Sequence, residues 1–221
     1  DVVPTDCLAV YLKQRLPSAT HLTMAFQSVG PSGLPPGTQR TVIELLRFGN
    51  RVRTNGRFVP ATSAMKTRSI DFGNGPVLVT QLTWGDVFTA YYSTGIPNIE
   101  EYTELPSAAR QSMALMNTLK PLLALGWVRA LLRRGVKPGP SASRRAQTVT
   151  HVWGEVTDGA GGQAAARLHG PEAGVDWTVA CALAVVERVL RGEVQPGYQT
   201  PAMVYGPELV MTCAGVTRED L

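Results

Sequence analysis

Three glycine-rich breaks constrain this chain more than any other feature. Arg51 to Thr54 and Arg57 to Val59 flank Asn55-Gly56, and Arg68 to Phe72 and Pro76 to Trp84 flank Gly73-Asn74-Gly75. Thr148 to Val156 and Ala164 to His169 flank the loop from Asp158 to Gly162. Asn and Gly accept the positive φ that a tight connection demands, so the apolar and β-branched runs on either side pair locally. Strands joined this way run antiparallel. His21 to Phe26 reads as a further strand.

Helical spacing fills the gaps. Leu8, Tyr11, Leu12 and Leu16 follow Thr5 and Asp6, either of which can cap a first helix that stops at Pro17. The loop from Gly30 to Gly37 is broken by prolines and glycines, after which Thr38 caps a helix with Val42, Leu45 and Leu46 on one face, closed by Gly49 and Asn50. Ser107 to Arg134 predicts a long helix interrupted at Pro121 and Gly126. Asp176 caps a helix with Val179, Leu183, Val186 and Leu190 on one stripe, and Gly192 ends it. The expected fold class is α+β: one mixed, mainly antiparallel sheet covered by helices, spanning residues 1–221 as a single domain.

Several function classes lack their signature. No run of about 18 apolar residues is present for a spanning helix. The three cysteines, Cys7, Cys181 and Cys213, and the histidines His21, His151 and His169 are too scattered for a zinc site, so no metal is expected. No GxGxxG joins a strand to a helix, and GxxxxGK[ST], HExxH and GxSxG are likewise missing. Gly159 to Gly162 sit in a hairpin, where glycine serves the turn.

Charge is unevenly spread. Leu105 to Gly154 contains no Asp or Glu, yet holds Arg110, Lys120, Arg129, Arg133, Arg134, Lys137, Arg144 and Arg145; all 17 acidic residues lie elsewhere. The stretch also carries Met113, Met116, Leu122, Leu123, Trp127, Leu131 and Leu132. A basic, apolar segment on an acidic body suits either an acidic acyl-carrier domain or an anionic lipid surface, or is a solvated helix face. Nucleic acid is not expected, because no stacking platform accompanies the charges.

Five stretches carry a resemblance when taken in order: Asp1 to Ala9, Trp84 to Asp86 with Ser93 to Asn98, Trp153 to Asp158, Gly197 to Ala202, and Gly215 to Asp220. Together they resemble the saccharopine-dehydrogenase-like oxidoreductases, nearest the branch of trans-acting enoyl reductases. The resemblance implies a C-terminal substrate-binding and dimerisation domain that follows a dinucleotide-binding domain of roughly 130 residues. Residues 1–17 and 197–221 would abut that domain with partly apolar, exposed surfaces. NAD(P)H would be the cofactor of the full-length protein, bound by the other domain and not by this chain. The implied substrate is an enoyl or polyketide thioester, the implied assembly a homodimer, and the implied location the cytoplasm. The alternative is a non-catalytic domain that binds lipid or associates peripherally with a membrane.

The resemblance also assigns roles. Tyr91 and Asp86 would be catalytic, with Tyr91 the proton donor. Trp84, Ser93 and Thr94 would line the substrate site, and Gly37 and Thr38 would hold an anionic group at a helix start. Asp6 and Thr200 would lie near the cofactor. Each has a structural alternative: a helix cap for Asp6 and Thr38, an interface side chain for Tyr91, and the start of a returning helix for Thr200.

Overall fold

The computed structural model describes residues 2–61 and 66–221, with side chains described throughout except at 113–118 and 120; Asp1 and the side chains of Met113, Met116 and Lys120 therefore lie outside the described residues. In chain order the elements are α1 (Val3–Arg15), β1 (His21–Val29), α2 (Pro36–Leu45), a 3-10 turn (Leu46–Phe48), β2 (Arg51–Thr54), β3 (Arg57–Pro60), β4 (Thr67–Asp71), β5 (Pro76–Gln81) and α3 (Asp86–Thr94). There follow β6 (Asn98–Glu104), α4 (Ser107–Thr118), α5 (Lys120–Leu123), α6 (Gly126–Arg133), α7 (Ala142–Arg145), β7 (Val149–Thr157), β8 (Gln163–Pro171), α8 (Asp176–Leu190), α9 (Pro201–Tyr205), a 3-10 turn (Pro207–Thr212) and β9 (Thr217–Asp220).

The strands form one sheet in the order β3-β2-β6-β1-β7-β8-β9, and the β4–β5 hairpin joins it through β6. Every pairing is antiparallel except β1 with β6, so the mixed, mainly antiparallel α+β fold is as expected. All three glycine-rich breaks are hairpin turns. At the tightest, Asn55 and Gly56 both take positive φ, 50° and 75°, the geometry that matches strand twist in a two-residue connection.

The sheet separates two cores. On one face, Leu22 and Met24 of β1, Ile99 of β6, Val156 of β7 and Leu168 of β8 pack beneath α1, α3, α8 and α9. Helix α1 is the centre of that layer, with Cys7, Leu8, Ala9 and Leu12 each 1% exposed or less. It comes close because Gly154 stands under it: a Cβ there would lie 2.6 Å from Leu12 Cδ1 and 3.2 Å from Leu8 Cδ2. On the other face Ala25, Tyr102 and Trp153 meet Ile70, Phe72 and Val79 of the β4–β5 hairpin. A separate lobe of α2 and α4 to α6 stands beside the sheet, with α6 on α2 and α5 on the turn at 46–48.

Several local expectations are corrected. Helix α1 begins at Val3 with Val2 at its cap position and no side-chain cap, so neither Thr5 nor Asp6 plays that part. Helix α2 begins at Pro36, which places Thr38 inside its first turn. The N-cap position of α8 is held by Val175, and the loop before it is fastened by Glu172, whose carboxylate accepts from the backbone N–H of Gly174, Val175 and Asp176 at 2.9, 2.8 and 3.2 Å. Asp176 instead pairs with Arg145 at 2.9 Å. The apolar exposure expected of residues 1–17 lies elsewhere, since α1 is largely buried, while Val179, Leu183, Val186 and Leu190 of α8 face outward at 48%, 55%, 50% and 82% exposure. The inner face of α8 is made by Trp177 and Cys181.

Candidate functional site

The chemistry concentrates where the first turns of α1 and α3, the start of α9 and strand β6 converge beneath the helical layer. Asp6, Asp86 and Glu101 meet there, each no more than 1% exposed. Thr5 donates its hydroxyl to Asp86 Oδ1, with the Val2 carbonyl, 3.0 Å away, as the alternative acceptor. Ala202, in the first turn of α9, donates its backbone N–H to Asp6 Oδ2 at 3.2 Å. Thr200 caps that helix, its hydroxyl accepting from Met203 N at 3.3 Å. Two of the carboxylates thus sit at helix N-termini, where the peptide dipoles favour negative charge.

Burial works against that charge. It pushes the Asp86 carboxyl up to about 6, against the hydrogen bond from Thr5, and Asp6 adds repulsion. Glu101 is raised well above the usual range, first by burial and then by the charge of Asp86. Asp86 Oδ2 and both Glu101 oxygens are buried with no hydrogen-bond partner. One proton resolves two of the three: Glu101 as the acid donates to Asp86 as the carboxylate, which keeps the Thr5 hydroxyl and the α3 N-terminus as its other partners, while the second Glu101 oxygen stays without a donor. The two carboxyls meet where β6 packs against α3.

Glu101 was not among the sequence candidates. The signal that could have found it is strand alternation: with Ile99 inward, Glu101 and Thr103 point to the same apolar face.

The other assigned residues spread from this point. Tyr91, half-buried on α3, lies under the Arg53 guanidinium, 4.3 Å from the ring centroid. Arg53 is itself 5% exposed and donates to the carbonyls of Val87 at 3.0 Å and Gly56 at 2.8 Å. That bond network, also unforeseen, fastens the β2–β3 turn to α3. Trp84 packs on Phe26 with the rings tilted by 54° and their centroids 5.4 Å apart. The hydroxyls of Ser93 and Thr94 both donate to the Ala90 carbonyl, and Thr94 accepts from Ile96 N at 3.1 Å, so they close α3. Gly37 and Thr38 sit in the separate lobe on α2, away from the carboxylates. The structure therefore brings together Asp6, Asp86 and Thr200, holds Trp84 and Tyr91 on the flanks, and separates Gly37 and Thr38.

Among the described residues no group of three His, Cys, Asp or Glu side chains could hold a metal ion, and no helix is long and apolar enough to cross a membrane. The three cysteines are free and buried. A second polar cluster lies on the opposite sheet face, where His151 and His169 share a hydrogen bond of 2.7 Å between their Nδ1 atoms.

No family model and no curated protein sequence matches the chain. A solved structure does: apo saccharopine dehydrogenase (L-Glu forming) from Saccharomyces cerevisiae, with a TM-score of 0.53 over 99% of this chain and 72% of that one, at 10% identity. The likeness is one of fold. It is the fold that the sequence resemblance implies, a mainly antiparallel sheet flanked by helices.

Proposed function

We propose that this chain is the substrate-binding and subunit-contact part of an NAD(P)H-dependent oxidoreductase of the saccharopine-dehydrogenase type. Its substrate is an unsaturated acyl or polyketide thioester, and the hydride comes from a dinucleotide-binding unit seated against the helical layer. The observation that carries this reading is the outward apolar stripe of α8, Val179, Leu183, Val186 and Leu190. Phe88, Tyr92 and Tyr198 form a further exposed aromatic group, with centroids 4.9 Å apart for Tyr92 and Tyr198 and 5.3 Å for Phe88 and Tyr92. A helix on a water-facing surface ordinarily shows its polar side, and apolar patches of this kind mark contacts. The likeness in fold to saccharopine dehydrogenase supports a dinucleotide-binding unit as the occupant.

The reading puts the cofactor's cradle outside this chain. The connection from β1 to α2 holds Gly30, Gly33 and Gly37, but also Pro31, Pro35 and Pro36, which lack the backbone N–H groups a pyrophosphate needs. Tyr91, poised under Arg53, is the proton donor to the carbanion left by hydride addition, and the Asp86–Glu101 pair positions α3 beneath it. The test is NADPH or NADH consumption by the full-length protein with a 2-enoyl thioester, against the saturated thioester as control. Tyr91→Phe should lower kcat by about a hundredfold with little change in melting temperature. Turnover that is indifferent to the double bond or to Tyr91 would overturn the reading.

A further inference from the structure

The lobe formed by α2, the turn at 46–48, α5 and α6 presents large apolar side chains to solvent among exposed basic ones. Arg129 and Arg133 of α6 both reach Glu44 of α2, Arg129 Nε at 3.1 Å from Oε2 and Arg133 on Oε1. On the outer side of α6 stand Trp127, Ala130, Leu131 and Arg134, which at spacings of three, four and seven residues form one face. Trp127 is 68% exposed and Leu131 57%. Leu122 and Leu125, just before α6, and Leu45 and Phe48, on the adjoining helix and turn, are also exposed. A helix on a soluble surface would place the arginines outward and the tryptophan inward. Here Trp127 faces outward together with Arg133 and Arg134, and Arg129 alone turns inward.

The charges around this surface are of one sign. Arg40, Arg47, Arg134 and Lys137 are exposed, no acid occurs between Leu105 and Gly154, and Glu44 is neutralised by its two arginines. Arg40, Thr41, Glu44, Leu45 and Arg133 line an open depression beside this surface, in which Arg133 is already paired with Glu44 and Arg40 is the basic group left for a lipid phosphate.

From this arrangement we infer that the α5–α6 lobe docks on an anionic phospholipid bilayer, with Trp127, Leu131, Leu122 and Leu125 entering the headgroup and acyl boundary. Arg40, Arg134 and Lys137 meet lipid phosphates. Tryptophan sits naturally at that depth, because its ring is apolar and its N–H still finds a partner. An acidic protein partner would satisfy the bases but would give no reason for four large apolar side chains at the tip of the lobe. Interfacial attachment needs both apolar insertion and basic charge, and both are present. The inference is independent of the proposed reductase activity, since the lobe lies apart from the carboxylate site and from α8.

The experiment is flotation of the full-length protein with vesicles of phosphatidylcholine alone and of equal parts phosphatidylcholine and phosphatidylserine. Binding to the anionic vesicles is expected at low salt, and weak binding to the neutral ones. Trp127→Ala combined with Leu131→Ala should reduce partitioning about tenfold, and Arg134→Gln with Lys137→Gln should reduce it and weaken its salt dependence. All four side chains are exposed, so melting temperatures should hold. Fluorescence of Trp127 should shift to shorter wavelength with anionic vesicles, and Trp127→Phe should remove that shift while retaining binding. No binding to either vesicle at low salt would overturn the inference. So would equal binding that ignores all four substitutions, or capture of an acidic carrier protein without any vesicle binding.

Discussion

Trp177→Ala is expected to destabilise the protein by roughly 3–5 kcal/mol, in the range for removing a large buried aromatic side chain. Trp177 is fully buried and rests on Gly170 of β8, where a Cβ would fall 2.7 Å from its ring. It is the anchor of α8: the outward stripe of that helix contributes nothing to this core, and the inner contacts are Trp177, Cys181 and small or half-buried neighbours. Gly170→Ala should act on the same contact from the other side, because a methyl group there meets the ring and neither strand nor indole can give way. Denaturant unfolding measures both, and hydrogen exchange should show α8 loosening before the sheet does. A loss below about 1 kcal/mol for Trp177→Ala would mean that α8 is held by something other than this contact.

The second large effect concerns pH. A carboxyl whose pKa is higher in the folded than in the unfolded chain binds its proton more tightly when folded, so the associated stability is complete below the unfolded value and is lost as pH rises through the folded one. For Asp86 the window runs from the model-compound value of 3.8 to about 6, and Glu101, raised by burial and by Asp86, extends the loss upward. Asp86 alone accounts for about 3 kcal/mol across its window. Asp86→Asn keeps the acceptor for Thr5, offers Glu101 a permanent N–H donor and removes the repelling charge. Its stability relative to the unaltered protein should therefore rise by about 3 kcal/mol between roughly pH 4 and pH 7. His151 works in the opposite direction, its pKa lowered by burial and by His169, but it is common to both proteins and cancels in the difference. A difference that stays constant over this range would contradict the shared-proton pair.

How much of this was legible in the sequence follows from what each residue reports. The three hairpins were readable because Asn55-Gly56 and its counterparts state a backbone geometry, not only a composition. The break of the long helical segment into α4, α5 and α6 was readable at Pro121 and Gly126 for the same reason. Strand β6 was not, because Glu100, Glu101 and Glu104 give it the look of a solvated turn. Its place between β1 and β2 and its buried carboxyl are tertiary facts that no local period announces. The stripe on α8 was seen, yet a helical period says only that a stripe exists and nothing of which side meets the core; Trp177 and Cys181, smaller in number but matched to Gly170, took the inner face. Of the site, Asp6, Asp86 and Thr200 were named separately, but their meeting depends on the long return of the chain from α8 to α9.

Nicotinamide binding tests the central claim most directly. Calorimetric titration with NADPH and NADH should be carried out in parallel on the full-length protein and on the 221-residue chain. The expected result is binding by the full-length protein and none by the chain alone, whose β1–α2 connection has proline where a pyrophosphate needs N–H donors. Micromolar binding by the chain alone, or none by the full-length protein, would contradict the assignment of this chain as the substrate-binding part of a nicotinamide-dependent oxidoreductase.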